Sequence, residues 1–147
     1  MSEHHATVEW QRAGEFRSDT YSRCHVLRFD DIVVAGTAAP SNIPKTAVAG
    51  PGVDPEQAFV GALSACHMLW FLYLASLKKW VIDSYVDEAV GVLDKTWMSR
   101  VTLRPVVTFS GARPSDEEHR AVHHKAHEKC FIANSVKTEV IVEPCSK

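Results

Sequence analysis

The run from Ala58 to Leu77 contains no Lys, Arg, Asp or Glu, and it limits what the chain can fold into more than any other segment. It reads Ala-Phe-Val-Gly-Ala-Leu-Ser-Ala-Cys-His-Met-Leu-Trp-Phe-Leu-Tyr-Leu-Ala-Ser-Leu. About 20 apolar residues are enough to cross a bilayer. A helix apolar on all sides is otherwise the buried central helix of a soluble protein. Gly61, Ser64, Cys66, His67 and Ser76 interrupt the run, and every other apolar segment is short and alternating. The first ten residues, Met1 to Trp10, contain no apolar signal region. The expectation is therefore a core helix and no membrane association. A chain of 147 residues can hardly wrap such a helix alone. An obligate homodimer that shares its core is expected.

The start of this helix is written in the sequence. Asp54 is placed at the N-cap, Pro55 at N1, Glu56 at N2 and Gln57 at N3. The Asp carboxylate can accept the N3 amide while Gln57 reaches back to the cap. Proline suits N1 because it gives up only an amide that lacks a partner there. Acidic groups at this end suit the helix dipole.

The flanking segments read as strands. Ala6, Val8 and Trp10 alternate with Thr7 and Glu9, and Tyr21–Phe29 and Ile32–Ala35 follow, broken at Asp30-Asp31. After the helix, Val86–Leu93 and Met98–Phe109 are expected as strands, with Pro105 forcing an edge or bulge. Ser115, with Glu118 three residues on, starts a second helix that runs to about Cys130. Val136–Val142 is a last strand. This order gives an α+β protein, and nothing divides residues 1–147 into more than one domain. The net charge is −2, so no basic footprint points to nucleic acid.

Cysteine is the first candidate for chemistry. There are four, Cys24, Cys66, Cys130 and Cys145, and a reducing cytoplasmic setting is expected, which disfavours structural disulfides. Each is then inert core, metal ligand or reactive thiol. Cys66 lies mid-helix in apolar surroundings, where a thiolate needs a nearby cation. Histidines are second. His123, His127 and Cys130 fall on one helical face and, with Cys66 or His67, form a candidate metal site. His119, His123, His124 and Lys125 equally read as the solvated face of a surface helix, which is the expectation taken here. Arg23, beside Cys24 and His25, and Glu56 at the helix start complete the list.

Three motifs resemble one known family. Asp54-Pro-Glu-Gln-Ala-Phe-Val-Gly-Ala-Leu-Ser-Ala-Cys-His-Met-Leu69 resembles the central helix of the OsmC/Ohr family, the osmotically induced and organic-hydroperoxide-resistance proteins. Tyr21-Ser-Arg-Cys-His25 is similar to the arginine-bearing strand of its OsmC-like branch. Ala126-His-Glu-Lys-Cys-Phe-Ile-Ala-Asn-Ser-Val-Lys137 looks like the segment with the family's second cysteine. The resemblance covers nearly the whole chain, in the right order. It implies an intertwined α+β homodimer with antiparallel sheets around a long buried helix. It also implies a thiol-dependent peroxidase that reduces organic hydroperoxides. Cys66 then matches the peroxidatic cysteine, Cys130 the resolving one, and Arg23 and Glu56 the charged pair that flanks the thiol. No bound cofactor is implied, only an external dithiol reductant, in this family often a lipoylated protein. Phe131 stands where better-known members carry proline, and Cys24 and Cys145 are extra. His67 is read as a satisfied core histidine. A His/Cys metal- or ligand-binding dimer and a non-catalytic stress protein on the same fold are the alternatives.

Overall fold

A computed structural model describes residues 1–146. The chain divides into two compact units, Met1–Ala58 and the remainder from Phe59 onward.

The first unit holds a three-stranded antiparallel sheet of β1 (Thr7–Glu9), β2 (His25–Phe29) and β3 (Ile32–Gly36), in the order β1-β2-β3. Asp30 turns the β2–β3 connection at φ 51, a left-handed conformation that aspartate tolerates. A Cβ at position 36 would collide with the His25 ring across the pair, so Gly36 fits there. The strand expected from Tyr21 starts only at His25. Residues 21–24 spend their backbone groups elsewhere. The Arg23 N–H donates to Val48 O, and Ser22 O accepts from Trp10 Nε1 at 2.8 Å.

In the second unit, each of the two long strands expected after the central helix is split. β4 (Val81–Asp87) and β5 (Val90–Asp94) are separated at Glu88-Ala89, and β6 (Trp97–Leu103) and β7 (Pro105–Ser110) at Arg104. The two halves of this bent hairpin lie in different sheets, β4-β7-β9 and β5-β6-β8, completed by β8 (Glu139–Val142) and β9 (Cys145–Ser146). Asp87 fixes the bend: its Oδ1 accepts the Arg104 N–H at 2.6 Å, and its Oδ2 accepts the Ser64 hydroxyl. Pro105 has no N–H to offer a ladder and stands at the first position of β7. The β6–β8 and β7–β9 pairs are parallel, so both sheets are mixed and not antiparallel throughout as expected.

Helix α1 (Pro55–Leu77) has the expected cap. Asp54 Oδ1 accepts the Gln57 N–H at 2.7 Å, and the Asp54 N–H donates to Gln57 Oε1 at 3.2 Å. Leu63, His67, Phe71 and Ala75, four residues apart, form its buried stripe. Leu63 packs with Val101 and Leu103; Phe71 and Ala75 pack with Val107, Val122 and Ala126. Within one chain the helix is buried along one face only, as expected of a chain that can hardly wrap it alone. Leu69, Tyr73 and Leu77 are 63%, 54% and 62% exposed, because two sheets and one further helix cover only one face. That further helix, α2 (Asp116–Lys129), opens with the expected Ser115–Glu118 capping box.

Candidate active site

Cys66 is half-buried on α1, and Cys130 is the C-cap of α2 with 1% of its surface exposed. The second helix folds back so that these two side chains are neighbours. Cys130 Sγ also accepts the Ala133 N–H at 3.4 Å. Burial, then the neighbouring Cys66, pushes the Cys130 thiol up to about 11. Both cysteines are free thiols. Once Cys66 is oxidised to a sulfenic acid, the Cys130 thiol can attack its sulfur, form a disulfide and release water.

The Cys66 side chain opens into an apolar cleft of about 630 Å³, lined by Ala62, Leu69, Trp70, Tyr73, Phe131 and Ile132. Trp70 meets the Phe131 ring edge-on at 5.5 Å and the Tyr73 ring at 5.9 Å. Phe131 is therefore a wall of this cleft. An apolar lining favours ligands with a hydrocarbon tail over small polar ones.

The two charged candidates lie in the other unit and do not pair with one another. The Arg23 guanidinium donates to Tyr21 O and Ser18 O, both at 2.8 Å, and stacks 3.3 Å from the centre of the Tyr21 ring. Tyr21 belongs to an aromatic cluster with Trp10 and Phe16. Glu56 Oε1 accepts from Asn42 Nδ2 at 3.1 Å. The expected Glu56–Arg23 ion pair is absent among the described residues: two backbone carbonyls and an aromatic face already hold the guanidinium. Cys24 and Cys145 are exposed thiols, and Cys24 Sγ accepts the Gly50 N–H at 3.2 Å.

The expectation of a solvated histidine face on α2 is corrected. His119 and His123 are 3% and 1% exposed, while His124 faces water. His67 Nε2 lies 2.9 Å from His123 Nδ1, and His123 Nε2 lies 3.1 Å from His119 Nε2. His67 is thus bonded through Nε2, as expected for a core histidine, but its Nδ1 is buried without a partner among the described residues. Both His123 nitrogens are engaged, which counts against a metal site built on His123, His127 and Cys130. Among the described residues no group of three His, Cys, Asp or Glu is arranged to hold a metal ion. The signal for the buried chain was present in the sequence: His119, Val122, His123, Ala126 and Cys130 share one α-helical stripe.

A family profile described as "OsmC-like protein" matches residues 48–144. The chain is similar to an OsmC-like protein of unknown function from Vibrio cholerae, at 44% identity over 99% of this chain and 100% of the other, with a TM-score of 0.93. It shares its fold with an organic hydroperoxide resistance protein OsmC from Legionella pneumophila, at 18% identity, 100% and 99% coverage and a TM-score of 0.60. The organic hydroperoxide resistance protein OhrB of Bacillus subtilis gives 18% identity, 97% and 98% coverage and a TM-score of 0.56. No curated protein sequence matches the chain.

Proposed function

The chain belongs to the OsmC-like protein family, and from that premise we propose that it is a thiol-dependent peroxidase that reduces organic hydroperoxides to alcohols. The observation that carries this reading is the juxtaposition of Cys66 and Cys130 at an apolar cleft.

The steps follow from thiol chemistry. The Cys66 thiolate attacks the terminal oxygen of a hydroperoxide bound with its alkyl tail in the cleft. The O–O bond breaks, the alkoxide leaves and takes a proton, and Cys66 becomes a sulfenic acid. Cys130 then attacks the Cys66 sulfur, hydroxide leaves with the Cys130 proton as water, and a disulfide forms. A dithiol, small or carried on a lipoylated protein, restores both thiols by exchange, and a reducing cytoplasm suits this cycle. The half-buried position of Cys66 admits substrate, and the buried position of Cys130 protects the resolving thiol from stray oxidants.

Arg23 and Glu56 enter through the family resemblance alone, Arg23 as the cation that favours the thiolate and Glu56 as a second flanking charge, without a direct ion pair between them. The functional unit is a homodimer, in which a second copy covers the apolar face of α1 at Leu69, Tyr73 and Leu77.

One assay decides the reading. Dithiol-dependent turnover of an alkyl hydroperoxide is compared with that of hydrogen peroxide, for wild type and Cys66→Ser side by side. The expected result is turnover that prefers the alkyl peroxide and vanishes in Cys66→Ser. Full turnover in Cys66→Ser, or none in wild type, overturns the proposal.

A further inference from the structure

The three buried histidines form a chain that the thiol chemistry above leaves unused. Its inner member, His67, directly follows Cys66 on α1. Its outer member, His119, lines a polar cleft of about 320 Å³ with Arg113, Asp116, Arg120, Pro144 and Cys145. His123 joins them at 2.9 Å and 3.1 Å and lies flat against Phe71, ring centres 4.0 Å apart.

A neutral imidazole carries one N–H and one lone pair. Each N···N contact needs one proton between its two nitrogens. Only two neutral arrangements satisfy both contacts. In the first, His67 and His123 carry the proton on Nε2, and His119 carries it on Nδ1. In the second, His67 and His123 carry it on Nδ1, and His119 carries it on Nε2. A proton leaving His67 Nδ1 in the second arrangement draws one proton across each contact and one from the cleft into His119 Nδ1, which yields the first. The reverse transfer restores the second. Neither move leaves a charge in the core.

We infer that His67, His123 and His119 are a two-state proton wire between the surroundings of Cys66 and the cleft at Arg113, Asp116 and Arg120. This inference rests on the peroxidase reading for its use. The cycle needs one proton inward, to the alkoxide released when the O–O bond breaks. It needs one outward, when the reduced Cys66 thiol ionises again. One inward and one outward transfer return the wire to its starting arrangement, so a full turnover resets it.

The surroundings keep the chain neutral. Burial, then the neighbouring His127, lowers His67 to about 4. Burial, then His119 and His67, lowers His123 to about 2. Burial lowers His119, with Arg113 and Arg120 acting the same way and Asp116 opposing. Tyr85, whose ring lies 6.4 Å from that of His123, is pushed above the ordinary phenol value by burial, then by Asp87, and keeps its proton. His127 Nδ1, like His67 Nδ1, is buried without a partner among the described residues.

Long-range proton–nitrogen NMR of the labelled full chain near neutral pH reads each ring directly. The expected spectra show three neutral rings, with equal Nε2–H fractions on His67 and His123, matched by the Nδ1–H fraction of His119. A charged ring, or unequal fractions, overturns the wire whether or not the protein is a peroxidase. Kinetics supply the second arm. His123→Gln keeps a hydrogen-bonding side chain but cannot relay a proton. It is expected to slow alkyl hydroperoxide turnover at least about tenfold and to change its solvent isotope effect and pH profile. His124→Gln, on the exposed face, is expected to match wild type. Unchanged rate, isotope effect and pH profile in folded His123→Gln overturn the proposed use of the wire. Absence of turnover in wild type overturns the peroxidase reading, and the proposed use with it, while the spectra still judge the wire.

Discussion

Cys66, in the middle of α1, adjoins Cys130, the residue that ends α2. A thiol buried at a helix end and a half-exposed thiol in a cleft differ in access, so oxidant meets Cys66 first. Stoichiometric alkyl hydroperoxide is therefore expected to give one intramolecular Cys66–Cys130 disulfide, seen by peptide mass mapping without reduction. In Cys130→Ser the same treatment is expected to leave a sulfenic acid on Cys66 that a dimedone-type probe captures. A dominant crosslink through Cys24 or Cys145 contradicts this assignment.

Acid stability follows from the buried histidines. Their ordinary value is 6.5, and in the folded chain His67 is lowered to about 4 and His123 to about 2. The unfolded chain binds protons that the folded chain refuses, so stability is whole above about pH 6.5 and is lost as pH falls below it. Each of the two histidines contributes a slope of about 1.4 kcal/mol per pH unit between about pH 6.5 and 4. Urea midpoints at about pH 7.5, 6 and 5 check this. A flat profile would show that the rings are not neutral in the fold.

Phe71 is fully buried, stacks on His123 and packs with Val107, Val122 and Ala126. Phe71→Ala is expected to cost about 3–5 kcal/mol of unfolding free energy, because truncation leaves a cavity that the helices cannot close. Denaturant unfolding measures the loss. The same variant should broaden the His123 ring resonances, since the plate that fixes the ring is gone.

The exposed face of α1 predicts association. Leu69→Lys together with Tyr73→Lys places charge on a face the single chain leaves in water. The pair is expected to convert a dimer to a monomer in light scattering while helix content is retained. An unchanged mass would place the dimer contact elsewhere.

Much of this fold was legible in the chain. The Asp54–Gln57 and Ser115–Glu118 caps are local, within three residues, and the helices start where the caps stand. The strand breaks at Glu88-Ala89 and Arg104 are not local. The Arg104 amide is satisfied by the Asp87 side chain, a contact no window of neighbouring residues contains. The Arg23 segment departs from a strand for a related reason: its backbone bonds reach Val48 and Trp10, so alternation there does not make a strand. The roles of Cys66 and Cys130 come from the family resemblance, and their meeting is a tertiary fact. The histidine chain hid in plain composition. Imidazoles at positions 119 and 123 look polar, and only the sharing of their stripe with Val122 and Ala126 marks them as interior.

The bent hairpin has a consequence for how this part of the chain comes apart. β4 and β5, β6 and β7, and β8 and β9 are successive in sequence, yet each pair is split between the two sheets. Three short links thus stitch one sheet to the other. Neither sheet can be excised as a contiguous fragment, and opening one pulls on strands of its neighbour. Amide protons in β4-β7-β9 and β5-β6-β8 should exchange with one shared free energy, as a single foldon.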